Sequence, residues 1–146
     1  MVKRNFIFFS LFINISFIST VEAAQEIQLK TLQEMYSIGK KLEKGNEIIE
    51  MYADESLQRA FNRAYEAEDP CFGADIMWQS NDPPYQRKVT YTLLGNNKVR
   101  ANLGAFPPYY KASWVTYSFS CKSGTCKLSD VLDSEGSLKK ALNTCS

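Results

Sequence analysis

The sequence predicts an α+β domain in which N-terminal helices pack on a curved four-stranded antiparallel sheet, followed by a short C-terminal helix. Three observations predict it. Apolar residues recur at helical spacing through much of residues 26–68. From Arg87 onward the apolar period switches to two. The strand-like segments then follow one another across short turn sequences, so antiparallel pairing between neighbours needs no crossover.

An export signal precedes these elements. Met1–Asn5 carries Lys3 and Arg4, Phe6–Ile18 is a largely apolar run, and Val21-Glu22-Ala23 places small residues where a signal peptidase reads them. The run is shorter than the roughly 20 residues a membrane-spanning helix needs. Cleavage after Ala23 is therefore expected, leaving 24–146 as one domain. No cysteine stands near that position to carry a lipid. The product is expected in the periplasm without a membrane anchor.

The first helix is expected over Glu26–Lys44, with Leu29, Leu32, Tyr36, Ile38 and Leu42 on one side. Gly45-Asn46 ends it, and Lys40, Lys41 and Lys44 suit its C-terminal dipole. A short helical turn follows over Glu47–Ala53. Asp54 is then an N-cap for a helix to about Glu68, where Leu57, Ala60, Phe61, Ala64 and Tyr65 form an apolar stripe.

Residues 69–86, "DPCFGADIMWQSNDPPYQ", are irregular. Four strands come next: "RKVTYTLL", "KVRANLGAF", "ASWVTYSFSC" and "CKLSDVL". A three-residue loop Gly95-Asn96-Asn97 sets Leu93 against Val99, Tyr91 against Ala101 and Val89 against Leu103, so apolar meets apolar. In the second hairpin a loop over Lys122–Thr125 sets Cys121 against Cys126, Phe119 against Leu128 and Val115 against Leu132. The same register points Asp130 inward, opposite Tyr117. Ser134 or Ser137 then caps a short helix whose Leu138 and Leu142 return to the sheet.

All four cysteines, Cys71, Cys121, Cys126 and Cys145, lie beyond the signal, and two disulfides are expected. Opposed strand positions fit Cys121–Cys126, which goes with Cys71–Cys145. In the chain-entropy model the long link stabilises by about 4.5 kcal/mol and the short one by about 2 kcal/mol. A C-x4-C spacing without histidine is a poor zinc site, so no metal and no cofactor are expected.

The chain has no histidine. That removes Ser-His-Asp and Cys-His nucleophile systems and imidazole acid–base chemistry. No phosphate-binding glycine loop is present. Taking Lys3, Arg4 and Glu22 from the 17 basic and 16 acidic residues leaves the two signs balanced, which argues against nucleic acid as a partner. What remains is carboxylate and tyrosine chemistry. A carboxylate at Asp130 beside the Tyr117 hydroxyl in an apolar hollow can act as a general base. The plainer alternative is a strand that ends or bulges there and lets Asp130 bind amides around Ser134–Gly136. Asp75, Gln79 and Asp82 in the irregular segment can face a partner or simply hold turns. Trp78, Tyr85, Tyr109 and Tyr110 are contact residues if exposed and core residues if packed.

The C-terminal pattern resembles a bacterial family of exported domains of unknown function. That family closes on Trp-Lys-Ile-x-Asp-Ile and, a few residues later, Ser-Leu-(Lys/Arg)-x-x-Leu. Here Lys127, Leu128, Asp130, Val131, Ser137, Leu138, Lys139 and Leu142 occupy those places, with Cys126 where the family has tryptophan. Met35-Tyr36 and the "DPCFGADIMWQSND" segment also resemble the family's first helix and its Asp-rich loop. The resemblance implies the cystatin-like cone fold of nuclear transport factor type, which hosts binding proteins, interaction modules and a few enzymes. The function expected is a non-catalytic exported binding protein. Its partner is a protein of the envelope, an incoming toxin that it neutralises as an immunity protein, or a small apolar ligand. The alternatives are a small isomerase or hydratase using Asp130 and Tyr117, and an accessory of an envelope complex.

Overall fold

The computed structural model describes residues 15–68, 73–82 and 84–145. Three helices come first: α1 (Ile15–Leu42), α2 (Asn46–Tyr52) and α3 (Glu55–Glu66). Strands β1 (Val89–Gly95), β2 (Lys98–Leu103), β3 (Ser113–Lys122), β4 (Thr125–Asp133) and β5 (Gly136–Ser137) follow, and α4 (Leu138–Asn143) closes the chain. The strands form one antiparallel sheet in sequence order. The α+β reading therefore holds, with five strands where four were expected. The fifth is a two-residue pairing of Gly136 and Ser137 against Asp133 and Leu132, too short to leave a periodic signal.

Helix α1 starts at Ile15 and runs without a break through the expected cleavage position. The rest of the expected signal segment, residues 1–14, lies outside the described residues. Among the described residues no helix is long and apolar enough to cross a membrane. The buried side of α1 is Gln28, Leu32, Met35, Tyr36 and Gly39, one stripe at spacings of three and four. Leu42, expected on that stripe, is exposed. Asp54 caps α3 as expected, its Oδ1 accepting from the amides of Ser56 and Leu57 at 3.0 and 2.9 Å. Leu57, Ala60, Phe61 and Ala64 are buried. Tyr65, the last member of the expected stripe, is exposed, and its hydroxyl donates to Glu50 Oε2 at 2.7 Å.

The first hairpin has the expected partners: Leu93–Val99, Tyr91–Ala101 and Val89–Leu103. Its loop is shorter than expected. Gly95 pairs with Lys98 and the turn is Asn96-Asn97, both at positive φ, as the tight hairpin turns require. A bulge at Leu94 absorbs the odd residue and keeps the apolar register. In the second hairpin Cys121 faces Cys126, Phe119 faces Leu128, and the Cys121–Cys126 disulfide is formed. The expected Cys71–Cys145 pairing lies outside the described residues.

Beyond Phe119 the expected register fails. A second bulge, at Ser129, sets Asp130 against Ser118, Val131 against Tyr117 and Leu132 against Thr116. Asp130 is thus not opposite Tyr117, and Leu132 is not opposite Val115. The physical reason is the interior: without the bulge a carboxylate would enter the core and Val131 would leave it. With it, Val131 is fully buried. Asp130 turns instead to α4, accepting from Ser137 Oγ at 2.7 Å and from the amides of Val131 and Lys139 at 2.8 and 3.1 Å. Ser137, not Ser134, is the cap of α4, accepting from Lys140 N. Leu138 and Leu142 are buried as expected, and α4 packs on α3 and β4. Asp130→Ala should cost about 2 kcal/mol, because it orphans two amides and the cap hydroxyl together. Urea titration checks this, and Asp130→Asn should recover part of the loss.

Candidate functional site

The interior between helices and sheet is the first place to look for a site, and among the described residues its centre is filled by packed aromatic side chains. Tyr36 from α1, Tyr117 from β3 and Trp78 from the irregular segment are all buried. Tyr36 stands edge-on to Trp78 and Tyr117, with centroids 5.2 and 6.1 Å away. The Tyr36 hydroxyl donates to Met77 O at 2.9 Å and lies 2.9 Å from the Tyr117 hydroxyl. A phenol has one proton, so Tyr117 is the donor to Tyr36. Burial pushes both phenols well above their ordinary range. They stay neutral and serve each other as structural partners. Asp130 is turned away to α4, so the Asp130–Tyr117 acid–base pair is not assembled. Among the described residues no buried side-chain nitrogen or oxygen lacks a partner.

The irregular segment carries most of the expected contact residues, and the structure sorts them. Asp75 and Ser80 close a tight turn through reciprocal backbone bonds at 3.0 and 3.1 Å. The turn is pinned to the start of α2: Asn46 donates to Ala74 O and accepts from Ile76 N, both at 2.9 Å. Trp78 Nε1 donates to Lys44 O at 3.1 Å. Trp78 is therefore core, not an exposed contact residue. Tyr85 is half-buried, edge-on to Trp78 at 5.5 Å. Gln79 donates to Ile76 O and to Asp133 Oδ2, each at 3.0 Å. Asp82 is exposed.

Tyr110 joins this segment to the β2–β3 connection. Its hydroxyl donates to Asp82 O at 2.8 Å and accepts from Ser80 Oγ at 2.9 Å. Phe106 and Tyr110 are themselves cross-bonded, so residues 106–110 form a small closed tip. Tyr109 stands at that tip, 78% exposed, with Phe106 partly exposed beside it. Of the four loop aromatics singled out in the sequence, Tyr109 alone is freely presented.

Arg87 organises this region, and sequence reasoning passed over it. It is 3% exposed. Its Nε donates to Gly104 O at 2.8 Å, Nη1 to Trp78 O at 3.1 Å, and Nη2 to Lys111 O at 2.7 Å, Leu103 O at 3.3 Å and Ser113 Oγ at 3.2 Å. Its partners are neutral oxygens, and burial lowers its pKa without discharging it. Its position at the start of an apparent strand gave no hint of burial.

A surface cleft of about 320 Å³ lies between the Asp75–Ser80 turn and the β4–α4 corner. It brings Asp75 and Gln79 together with Asp133, Glu135 and Ser137. Asp133 Oδ1 accepts from the amides of Glu135 and Gly136 at 2.8 and 3.2 Å, the role expected of Asp130. Asp75 Oδ1 accepts from Trp78 N at 2.8 Å. The whole carboxyl group lies where a side chain on Gly45 would stand. Burial pushes the Asp75 carboxyl up to about 6, the Trp78 amide opposes this, and the Glu47 charge adds to it. Both acids are committed to holding turns. Among the described residues no cluster of acidic or sulfur ligands is placed to hold a metal.

No family model matches the chain, and no curated protein does. Its fold is nonetheless shared. The crystal structure of a protein of unknown function from Bacteroides thetaiotaomicron superposes with a TM-score of 0.54 at 18% identity. The match covers 81% of this chain and 95% of that one. At that identity the likeness establishes a common fold and carries no activity across.

The raised Asp75 gives a prediction with a definite sign. A carboxyl whose folded pKa lies above its unfolded value of about 4 favours folding when protonated. That contribution is complete below about pH 4 and is lost as the pH rises through about 6. Thermal melts of the wild type and Asp75→Asn across this range should therefore diverge. The wild type should lose stability relative to the variant as pH rises from 4.5 to 7, by about 1–2 kcal/mol. Parallel curves would show that Asp75 is not the group responsible.

Proposed function

We propose that this chain is a non-catalytic exported binding protein, acting in the periplasm on a protein partner. It would do so within the curved-sheet cone fold of the exported family that its C-terminal pattern resembles. The observation that supports this reading is the filled interior. Tyr36, Tyr117 and Trp78 occupy the space between helices and sheet, and their polar atoms satisfy one another and nearby carbonyls. Recognition then falls to the outside, where the Phe106–Tyr110 tip offers the exposed Tyr109 ring on a closed loop anchored by Arg87 and Tyr110. Exposed aromatics on preorganised loops are efficient protein contacts, because little entropy is lost on binding. A filled interior favours a protein over a small apolar ligand. An incoming toxin is one concrete partner, in which case the chain is an immunity protein.

A photo-crosslinking residue at Tyr109, compared with one at Met51 on the exposed side of α2, tests this in periplasm. A discrete adduct from position 109 and none from position 51 is the expected result. Equal labelling at both sites, or no adduct at either, rules out this tip as the contact surface.

A further inference from the structure

β1 is an edge strand, and its free side is unusually well made for pairing. At the two ends of β2, Gly104 N donates to Lys88 O, and Asn97 O accepts from Phe119 N on the opposite side. Alternation in an antiparallel ladder then fixes the rest. Lys88, Thr90 and Thr92 point their backbone groups at β2. Val89, Tyr91 and Leu93 point theirs outward, away from the sheet. Among the described residues nothing receives those outward groups. The devices that usually blunt an edge, such as a charge, a proline or an inward lysine, are missing from Val89–Leu93.

The side chains of the same three residues lie on the helix-facing side, and they are incompletely covered. On β2, Val99, Ala101 and Leu103 are buried to within 1%. One strand further out, Val89 and Tyr91 are half-buried and Leu93 is 44% exposed. Helix α1 still covers part of this row, with Tyr36 edge-on to Tyr91 at 6.0 Å, and the apolar layer then stops at an open edge.

We propose that this edge is closed by β1 of a second copy of the chain, antiparallel about a twofold axis at Tyr91. The sequence decides in favour of a second copy. Val89-Thr90-Tyr91-Thr92-Leu93 reads apolar, Thr, Tyr, Thr, apolar in either direction. A twofold pairing therefore sets Val89 against Leu93, Tyr91 against Tyr91 and Thr90 against Thr92. The outward backbone groups of the three odd positions exchange hydrogen bonds in pairs, as an isologous interface demands. Uncharged residues meet throughout, so no like charges oppose the contact. The two sheets become one, and the half-covered row gains a neighbour. The contact is a single strand pair, smaller than a standard interface, so the dimer is weak and concentration-dependent.

Sedimentation equilibrium across roughly 1–200 µM, the span in which a weak strand-edge dimer dissociates, should show monomer passing to dimer. Val89→Lys with Leu93→Lys sets like charges against each other across the axis and should raise the dissociation constant about tenfold or more. Val89→Lys with Leu93→Glu sets opposite charges together and should stay near the wild type. In the wild type itself, amide exchange at Val89, Tyr91 and Leu93 should slow as concentration rises, a reading that needs no variant. A chain that stays monomeric throughout overturns the proposal. So does a dimer that both charge variants affect alike, or one that leaves those three amides exchanging at their monomer rates.

Discussion

Trp78→Ala should destabilise the protein by about 3–5 kcal/mol, the usual cost of removing a large buried aromatic. For a domain of this size that is a fall of roughly 10–20 °C in Tm. The indole is 1% exposed, edge-on to Tyr36 and Tyr85 with centroids at 5.2 and 5.5 Å, and bonded through Nε1 to Lys44 O. Its loss leaves a cavity and an orphaned carbonyl where α1 meets α2. Trp78→Phe keeps much of the packing and loses the bond, so it should cost less, about 1–2 kcal/mol. Differential scanning calorimetry orders the three proteins. An alanine variant melting within a few degrees of the wild type would mean the indole is not core. The same burial makes any Trp78 variant a poor probe of partner contact, since lost binding would report lost folding.

That contrast marks how far the sequence can be read. The hairpin partners of β1 with β2, and of Cys121 with Cys126, were legible because one face of each strand must be apolar. The cap at Asp54 and the stripe Leu57–Ala64 were legible for the same kind of local reason. The strand-like "CKLSDVL" suggests an unbroken period of two. Its bulge has a signature, since Leu128 and Val131 stand three apart where a regular strand would separate core residues by two. Reading that spacing would have turned Asp130 away from Tyr117 at once. It would also have removed the candidate acid–base pair.

The loop aromatics were harder for a different reason. Trp78, Tyr85, Tyr109 and Tyr110 share one composition, and their fates differ because of tertiary partners far along the chain. Lys44 O captures Trp78, while Ser80 and Asp82 capture Tyr110. No local pattern encodes those meetings. Tyr109 is presented because its neighbours are taken.

Arg87 is the residue on which that presentation turns, and Arg87→Met is the second large prediction. Methionine can fill the volume, but it leaves the carbonyls of Trp78, Gly104 and Lys111 without the donors that Arg87 supplies at 3.1, 2.8 and 2.7 Å. Unmet buried acceptors cost about 1–3 kcal/mol each before relaxation. A net loss of about 3–5 kcal/mol is expected, read as a shift of the urea midpoint at constant slope. Arg87→Lys should recover little, because one ammonium cannot reproduce a planar fork that reaches three separate chain segments. The Phe106–Tyr110 tip is tied to the sheet through Lys111 O, so amide exchange should quicken there more than in the β3–β4 hairpin. Crosslinking from position 109 should fall even where the variant remains folded. A variant within 1 kcal/mol of the wild type, with exchange at the tip unchanged, would show that the buried guanidinium is a passenger and that the tip holds its shape by other means.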